Sequence, residues 1–553
     1  MEPDHRRLDQ ARQRSAEARQ RSAEAGNHLV DEFLAGRLTR RELLRRGTVA
    51  GLSLPVLGAI LAACSSSSTT STTAVRPKRG GTLKAGLTGG GSSDTLDADN
   101  GLVDLDFARV IQLYDPLVNI SLSGGLALQL AESVEPNADA TEWTIRLRPD
   151  VTFHNGKSLT SEDVIFTFQR ILNPKLPLAA ASSLAAIDIA NARVLDPLTV
   201  RLPCRSPFST LLQNLADYDV YIVPVGYNPR RPIGTGAFVY KSFTPGVQSI
   251  FTRNPDYWRH GEPYIDELII SDYVDPAAQL NALLSGEVDY IDQLSFSTLH
   301  SATAGGAVIV TSGGAAFNNI VMRCDRPPFN DNNVRLAMKY IVNRPQMREL
   351  IYGGHGFLGN DVPCITDPQY DRALPQREQD IDRAKWLLKR AGHDHLNLQV
   401  VTAPLAGGII AQAEIFAEQA AAAGVHVSIS QISTTEFFGP QYLQRTFTQD
   451  NWLYGLYFCQ VALSAVPSAP YNETHFNDPR YTALFSEALR TVDHAKQTEI
   501  AHEMQLIEYE NGGNIIPNFT PYFDAHASTL RGIEGSNIGL PSWAYCFKTC
   551  WFA

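Results

Sequence analysis

A chain of 553 residues with 44% hydrophobic, 19% charged and 9% aromatic residues has the make-up of folded globular material, long enough for about two to four cores, which excludes a disordered or low-complexity protein. Its formal charge is −11, and beyond residue 63 it carries 36 Lys and Arg against 50 Asp and Glu, so nucleic acid, which needs clustered cations, is excluded as a partner. Near the N-terminus one uncharged run, Gly47 to Ala63, is long enough to matter for a membrane.

The N-terminal segment comes first. Residues 1 to 38 are polar, and Arg12 to Ala18 recurs unchanged as residues 19 to 25; without apolar residues at heptad positions this repeat is no coiled coil. Thr39-Arg40-Arg41-Glu42-Leu43-Leu44-Arg45 resembles a twin-arginine export signal. The 17 uncharged residues after it, broken by Pro55 and three glycines, suit an export segment better than a span of about 20 residues. Leu61-Ala62-Ala63-Cys64 resembles a bacterial lipobox, in which the Cys becomes the lipidated first residue. Residues 1–63 are therefore expected to be a twin-arginine lipoprotein signal, Cys64 the lipidation site, and 64–79 a Ser/Thr-rich linker. An N-terminal membrane helix is the alternative.

In the body, Glu142 to Arg148 alternates apolar Trp143, Ile145 and Leu147 with polar residues, the mark of a half-buried strand. Pro149-Asp150 turns it, Val151 to Phe153 returns, and His154 to Lys157 makes the next turn. Thr160 then fits an N-cap, with Glu162 and Asp163 in the first turn and Val164, Phe168, Ile171 and Leu172 along one face. Gly236 to Phe243 and Gln248 to Arg253 flank Thr244-Pro245-Gly246 as a hairpin. From residue 380 the order becomes helix (380 to 391), strand (396 to 402), helix (409 to 423) and strand (425 to 432), which calls for parallel pairing of the two strands through a right-handed crossover. Six cysteines, Cys204, Cys324, Cys364, Cys459, Cys546 and Cys550, could form up to three disulfides in an oxidising compartment. No nucleophile elbow, HExxH, P-loop or CxxC pair stands in a convincing context, and His393-Asp394-His395 follows a helix end and reads as surface. Neither an enzyme, a metal site nor a cofactor is expected.

Several strings together resemble one family: Leu113-Tyr114-Asp115-Pro116-Leu117-Val118, Val151 to Val164 (VTFHNGKSLTSEDV), Pro232 to Phe238 (PIGTGAF), Asn254 to Trp258 (NPDYW), Pro263 to Glu267 (PYIDE), Ser285 to Asp289 (SGEVD), Pro328 to Ala337 (PFNDNNVRLA) and Phe476 to Arg480 (FNDPR). In this order, over roughly residues 80 to 530, they resemble the solute-binding proteins of peptide-type ABC importers. The resemblance implies an α/β, bilobal, periplasmic-binding-protein-like fold of type II, with an extra subdomain in lobe I and two lobes closing on a cleft. Lobe I would comprise 80–115, 190–312 and 522–553, the extra subdomain 116–189, and lobe II 313–521, with crossings near 313–317 and 518–522. It also implies a monomeric receptor outside the cytoplasm, tethered by its lipid to the cell membrane. That receptor would deliver a peptide or peptide-like solute to ABC permease and ATPase subunits. Relatives that carry sugar-like conjugates, opine-like compounds, nickel chelates or haem supply the alternative ligands.

Peptide-binding members of this family hold the free α-amine with an Asp in lobe II. The resemblance aligns that segment with Asn451 to Leu463, placing Tyr457 near the family's aromatic and Gln460 near its Asp, with no acid between Gln460 and Tyr471. A buried ammonium left with only a dipole is several kcal/mol short of an ion pair. Either Asp450 or Glu473 replaces the acid, or the ligand is a blocked peptide, an amide-rich conjugate or a sugar-like compound stacked on Trp452, Tyr454 and Tyr457. Strand alternation would send Trp452 and Tyr454 to one face and Tyr457 to the other. Gly90, Ser92 and Asp94, in the glycine-rich loop after the first strand, and Asn318, near the lobe crossing, complete the expected ligand-binding set.

Overall fold

The structure is a computed structural model, which describes residues 77–101, 103–121, 124–453, 455–536 and 545–553. The expected export signal, Cys64 and Tyr454 lie outside the described residues.

Apolar alternation builds two mixed sheets that share the chain. The first has seven strands, with Thr82–Thr88 at its centre, parallel to Glu267–Tyr273 on one side and to Tyr290–Ile291 on the other. Gln248–Arg253 and Phe238–Thr244 extend it antiparallel as the expected hairpin, and Tyr522–His526 with Val308–Ser312 closes the far edge. In the second sheet Phe317–Met322 pairs antiparallel with Phe447–Trp452, and Leu396–Thr402 runs parallel to Val425–Gln431 in the register Leu396 to Val425. The helix Ile409–Ala421 between those two strands supplies the long connection that parallel neighbours need. The expected α/β order from residue 380 onward is observed within about two residues at each boundary.

The chain passes between the sheets at 313–316 and 520–521. Thr520 N donates to Ala316 O at 2.8 Å, so the two crossings are bonded to each other. Gly314 permits this approach: a Cβ built there would lie 1.2 Å from Thr520 O.

The third layer is a four-stranded antiparallel sheet, in the order Ala131–Pro136, Glu142–Leu147, Thr199–Pro203, Arg193–Asp196. It overruns the 116–189 boundary expected from sequence, because Val200, Leu202, Leu211, Leu215 and Ile222 share one core with Trp143, Ile145 and Phe168. The helix Ser161–Ile171 closes that core. Thr160 and Asp163 form a reciprocal capping box, with Thr160 N donating to Asp163 Oδ2 at 2.9 Å. Buried Val164, Phe168 and Ile171 contribute roughly 1.5–3 kcal/mol each by burial. Val151–Phe153 forms only an isolated bridge, Thr152 to Ser158, in place of a return strand. All six body cysteines are free thiols, which corrects the expectation of up to three disulfides. Among the described residues no helix is long and apolar enough to cross a membrane.

Candidate functional site

A cleft of about 760 Å³ separates two walls that are remote in sequence. Gln213, Ala216, Asp217 and Tyr218 form one wall, and Asn451, Trp452, Leu456 and Gln460 are among the residues of the other. The short helix Leu211–Asn214 presents the first wall. The second wall is the end of the strand Phe447–Trp452 and the start of the helix Tyr457–Ser464. Cys459 Sγ donates across to Asn214 Oδ1 at 3.5 Å, a direct contact between the walls.

Behind the second wall lies a smaller cavity whose lining includes Phe317, Glu473, Glu508 and Asn514 and which shares Trp452 and Gln460 with the cleft. Those two side chains are therefore the partition between cleft and inner cavity. Alternation along the strand explains the polar set around it, since Asp450 and Trp452 share a face and Asn319 is the cross-strand partner of Asp450. Trp452 Nε1 donates to Glu473 Oε1 at 2.8 Å, and Asn319 Nδ2 donates to Glu473 Oε2 at 3.1 Å and to Asn514 Oδ1 at 2.9 Å. Tyr442 OH donates to Asp450 Oδ2 at 3.0 Å, and Asn451 N to Asp450 Oδ1 at 2.8 Å.

Glu473 and Asp450 also hydrogen-bond to each other. Burial, reinforced by the charge of Asp450, pushes the Glu473 carboxyl well above the usual carboxylate range, and burial raises Asp450 to about 6. The pair therefore holds a proton near neutral pH. Across the cleft, burial lifts Asp217 to about 6 and Asp219 to about 8, the latter further raised by the charge of Asp217. Among the described residues no Lys, Arg or His forms an ion pair with Asp217, Asp450 or Glu473, and none lines the cleft. Such a site can take up a cation, which would displace the protons and supply the missing charge.

The expected residues fall into separate environments. Trp452 and Gln460 stand together on the partition, and Gln460 Nε2 donates to Ser464 Oγ at 2.8 Å. Tyr457 does not join them: the strand ends at Trp452 and a helix begins at Tyr457, so strand alternation does not reach this residue. The Tyr457 ring is fully buried against Phe458 and Tyr481, and its N–H donates to Asp367 Oδ2 at 2.7 Å. Asn318 faces away from Asn319. Its Nδ2 donates to Gly407 O at 3.0 Å, which fixes a loop of the second sheet. Gly90, at φ +115°, gives room to Asp272, whose Cβ would lie 2.6 Å from an added Cβ. Ser92 is exposed. Asp94 is committed to buried Arg109 at 3.0 Å and accepts from Gly91 N and Gly246 N, so the loop is fastened to the hairpin turn at 246. Gln213, Asp217 and Tyr218 were not anticipated; the acid-aromatic-acid run Asp217-Tyr218-Asp219 directly after a short helix was the available signal.

Three comparisons bear on this geometry. The Di/tripeptide-binding protein 1 of Pseudomonas aeruginosa is 26% identical over 423 residues, covering 68% of this chain and 78% of its own. The structure of the binding protein AgaA in complex with agropinic acid, from A. tumefaciens R10, superposes with a TM-score of 0.71 at 24% identity over 86% of this chain and 99% of its own. DppA from Helicobacter pylori, in complex with the peptide STSA, gives 0.71 at 20% identity over 86% and 98%. These likenesses carry the two-lobed binding-protein fold. Residues 125–478 match the model of the family described as bacterial extracellular solute-binding proteins, family 5 Middle, a span of well over half the chain that takes in both walls of the cleft, and the chain belongs to that family of binding proteins.

Proposed function

We propose that this protein captures a peptide or peptide-like solute bearing a cationic group in the cleft between Asp217 and Trp452, and delivers it to the permease and ATPase subunits of an ABC importer. The observation that carries this reading is the set of carboxyls on both walls, the half-buried Asp217 on one and the buried Asp450–Glu473 pair behind Trp452 on the other, with no Lys, Arg or His among the described residues in ion-pair contact with them. The solute's ammonium would be the partner, and Trp452 its cover. The names of relatives that bind di- and tripeptides support the peptide class. Cys64, acylated after export by the twin-arginine signal, would tether a monomeric receptor outside the membrane, two or three chains being enough for firm anchoring.

No Lys or Arg lines the cleft to meet a free carboxylate, which favours, as a second reading, a blocked peptide or a conjugate over a free dipeptide. Mass spectrometry of solute released from the purified protein tests both. A basic or amine-bearing peptide supports the first reading and a blocked or conjugated amine the second. An anionic or uncharged solute overturns both. For the anchor, labelled palmitate should be incorporated by the wild type and lost in Cys64→Ser; incorporation that survives the substitution refutes lipidation at Cys64.

A further inference from the structure

Next to the cleft lies a second, larger cavity of about 1050 Å³ between the four-stranded layer and the second lobe. One side is Leu126, Val134, Trp143 and Leu212, the other Pro368 and Val492. Several of its polar neighbours are held by hydrogen bonds of the protein's own. Trp143 Nε1 donates to Phe208 O at 3.1 Å, Gln369 N and Tyr457 N occupy both oxygens of Asp367, and Gln497 Nε2 donates to Ser209 Oγ at 3.0 Å. The surface facing the space is mainly apolar, with Gln213, Thr491 and His494 among its polar lining.

This cavity adjoins the cleft, and Leu456 and Gln213 line both. At that junction Gln213 Oε1 is buried without a hydrogen-bond partner. A buried acceptor left open is costly unless something donates to it, and here the donor would come from whatever crosses from cleft to cavity.

We infer that the solute held in the cleft carries a bulky apolar group that projects past Leu456 into this cavity, while an N–H of the same solute donates to Gln213 Oε1. The inference rests on the peptide-class reading above and narrows it to amphipathic peptides: a cationic end at the carboxyls and an apolar residue between the four-stranded layer and the second lobe. Because the two sides of the cavity belong to different layers, the occupant also holds them together. Burial of one Leu-sized or Phe-sized side chain corresponds to about 10- to 100-fold in affinity.

The test is selection from a random tetrapeptide pool, free and N-acetylated, by the full-length protein, with bound peptides sequenced by mass spectrometry. The wild type should enrich Leu, Phe or Trp at least 10-fold over Ala at one fixed position. Val492→Asp, at a position 45% exposed and so tolerant of charge, and Leu212→Asp should each cut that ratio below 3-fold. Bound peptides without an apolar position, or a preference that survives in every variant that folds, overturn the cavity assignment and leave the cleft reading standing. Enrichment of no peptide at all overturns the peptide-class reading and this inference with it.

Discussion

Trp452 Nε1 donates to Glu473 Oε1 at 2.8 Å across 21 positions of sequence, so the indole that walls the cleft also supports the buried carboxyl behind it. Trp452→Phe keeps a ring on the partition but leaves Glu473 Oε1 without its donor. Urea denaturation should show a loss of about 1–3 kcal/mol, the cost of a buried polar atom left open. Trp452→Phe combined with Glu473→Leu should recover part of that loss, since no open acceptor remains. A single-variant effect below about 0.5 kcal/mol would mean that the indole and the carboxyl are not bonded.

The Asp450 carboxyl gives a pH-dependent signature. Burial raises it from 3.8 to about 6, so between these values the folded protein holds a proton that the unfolded chain has released, and stability falls as pH rises through the window. Asp450→Asn cannot ionise. Relative to wild type it should be equally stable near pH 3.5 and progressively more stable up to about pH 6.5, by at most about 3 kcal/mol. Denaturation midpoints at four pH values check this. A difference that does not vary with pH would show that Asp450 titrates normally.

Much of the fold was legible because its signals are local. Thr160 and Asp163 lie three residues apart and cap each other, and the strand from Leu396 to Thr402 lies between a helix end and an Ala-rich helix. The site was legible only in part. Trp452, Gln460, Asp450 and Glu473 were within reach of sequence, but the end of the strand at Trp452 was hidden among aromatic and aliphatic residues that suit strand and helix alike, and Tyr457, read there as a strand residue, opens the following helix and packs in its core. The choice between Asn318 and Asn319 depends on which face of the strand meets Glu473, and that register is set by a partner strand more than 120 positions away. Gln213 and Asp217 lie more than 230 positions from Trp452, and no local pattern pairs them.

Asp94 separates a ligand residue from a structural one. Its partner Arg109 is fully buried and also bonds Asp272, on a strand of the first sheet. Asp94→Ala would leave a buried guanidinium short of one carboxylate and should cost about 3–5 kcal/mol. Solute affinity measured on the folded fraction should change less than about twofold. Loss of affinity without loss of stability would return Asp94 to the binding site.

Gly314 tests the link between the lobes. Its backbone is not in the left-handed region, so the glycine is required for space: an added Cβ would lie 1.2 Å from the Thr520 carbonyl oxygen, and neither crossing segment can yield without breaking the Thr520 N to Ala316 O bond. Gly314→Ala should therefore either destabilise the protein by more than about 3 kcal/mol or separate the crossings, seen as a larger radius of gyration in small-angle X-ray scattering. Gly407→Ala is the control, because a Cβ there meets nothing within 4 Å, and it should stay within about 0.5 kcal/mol of wild type. If Gly314→Ala matches that control in both stability and dimensions, the crossings are not in contact in solution, and the lobes are coupled through the Cys459–Asn214 contact across the cleft instead.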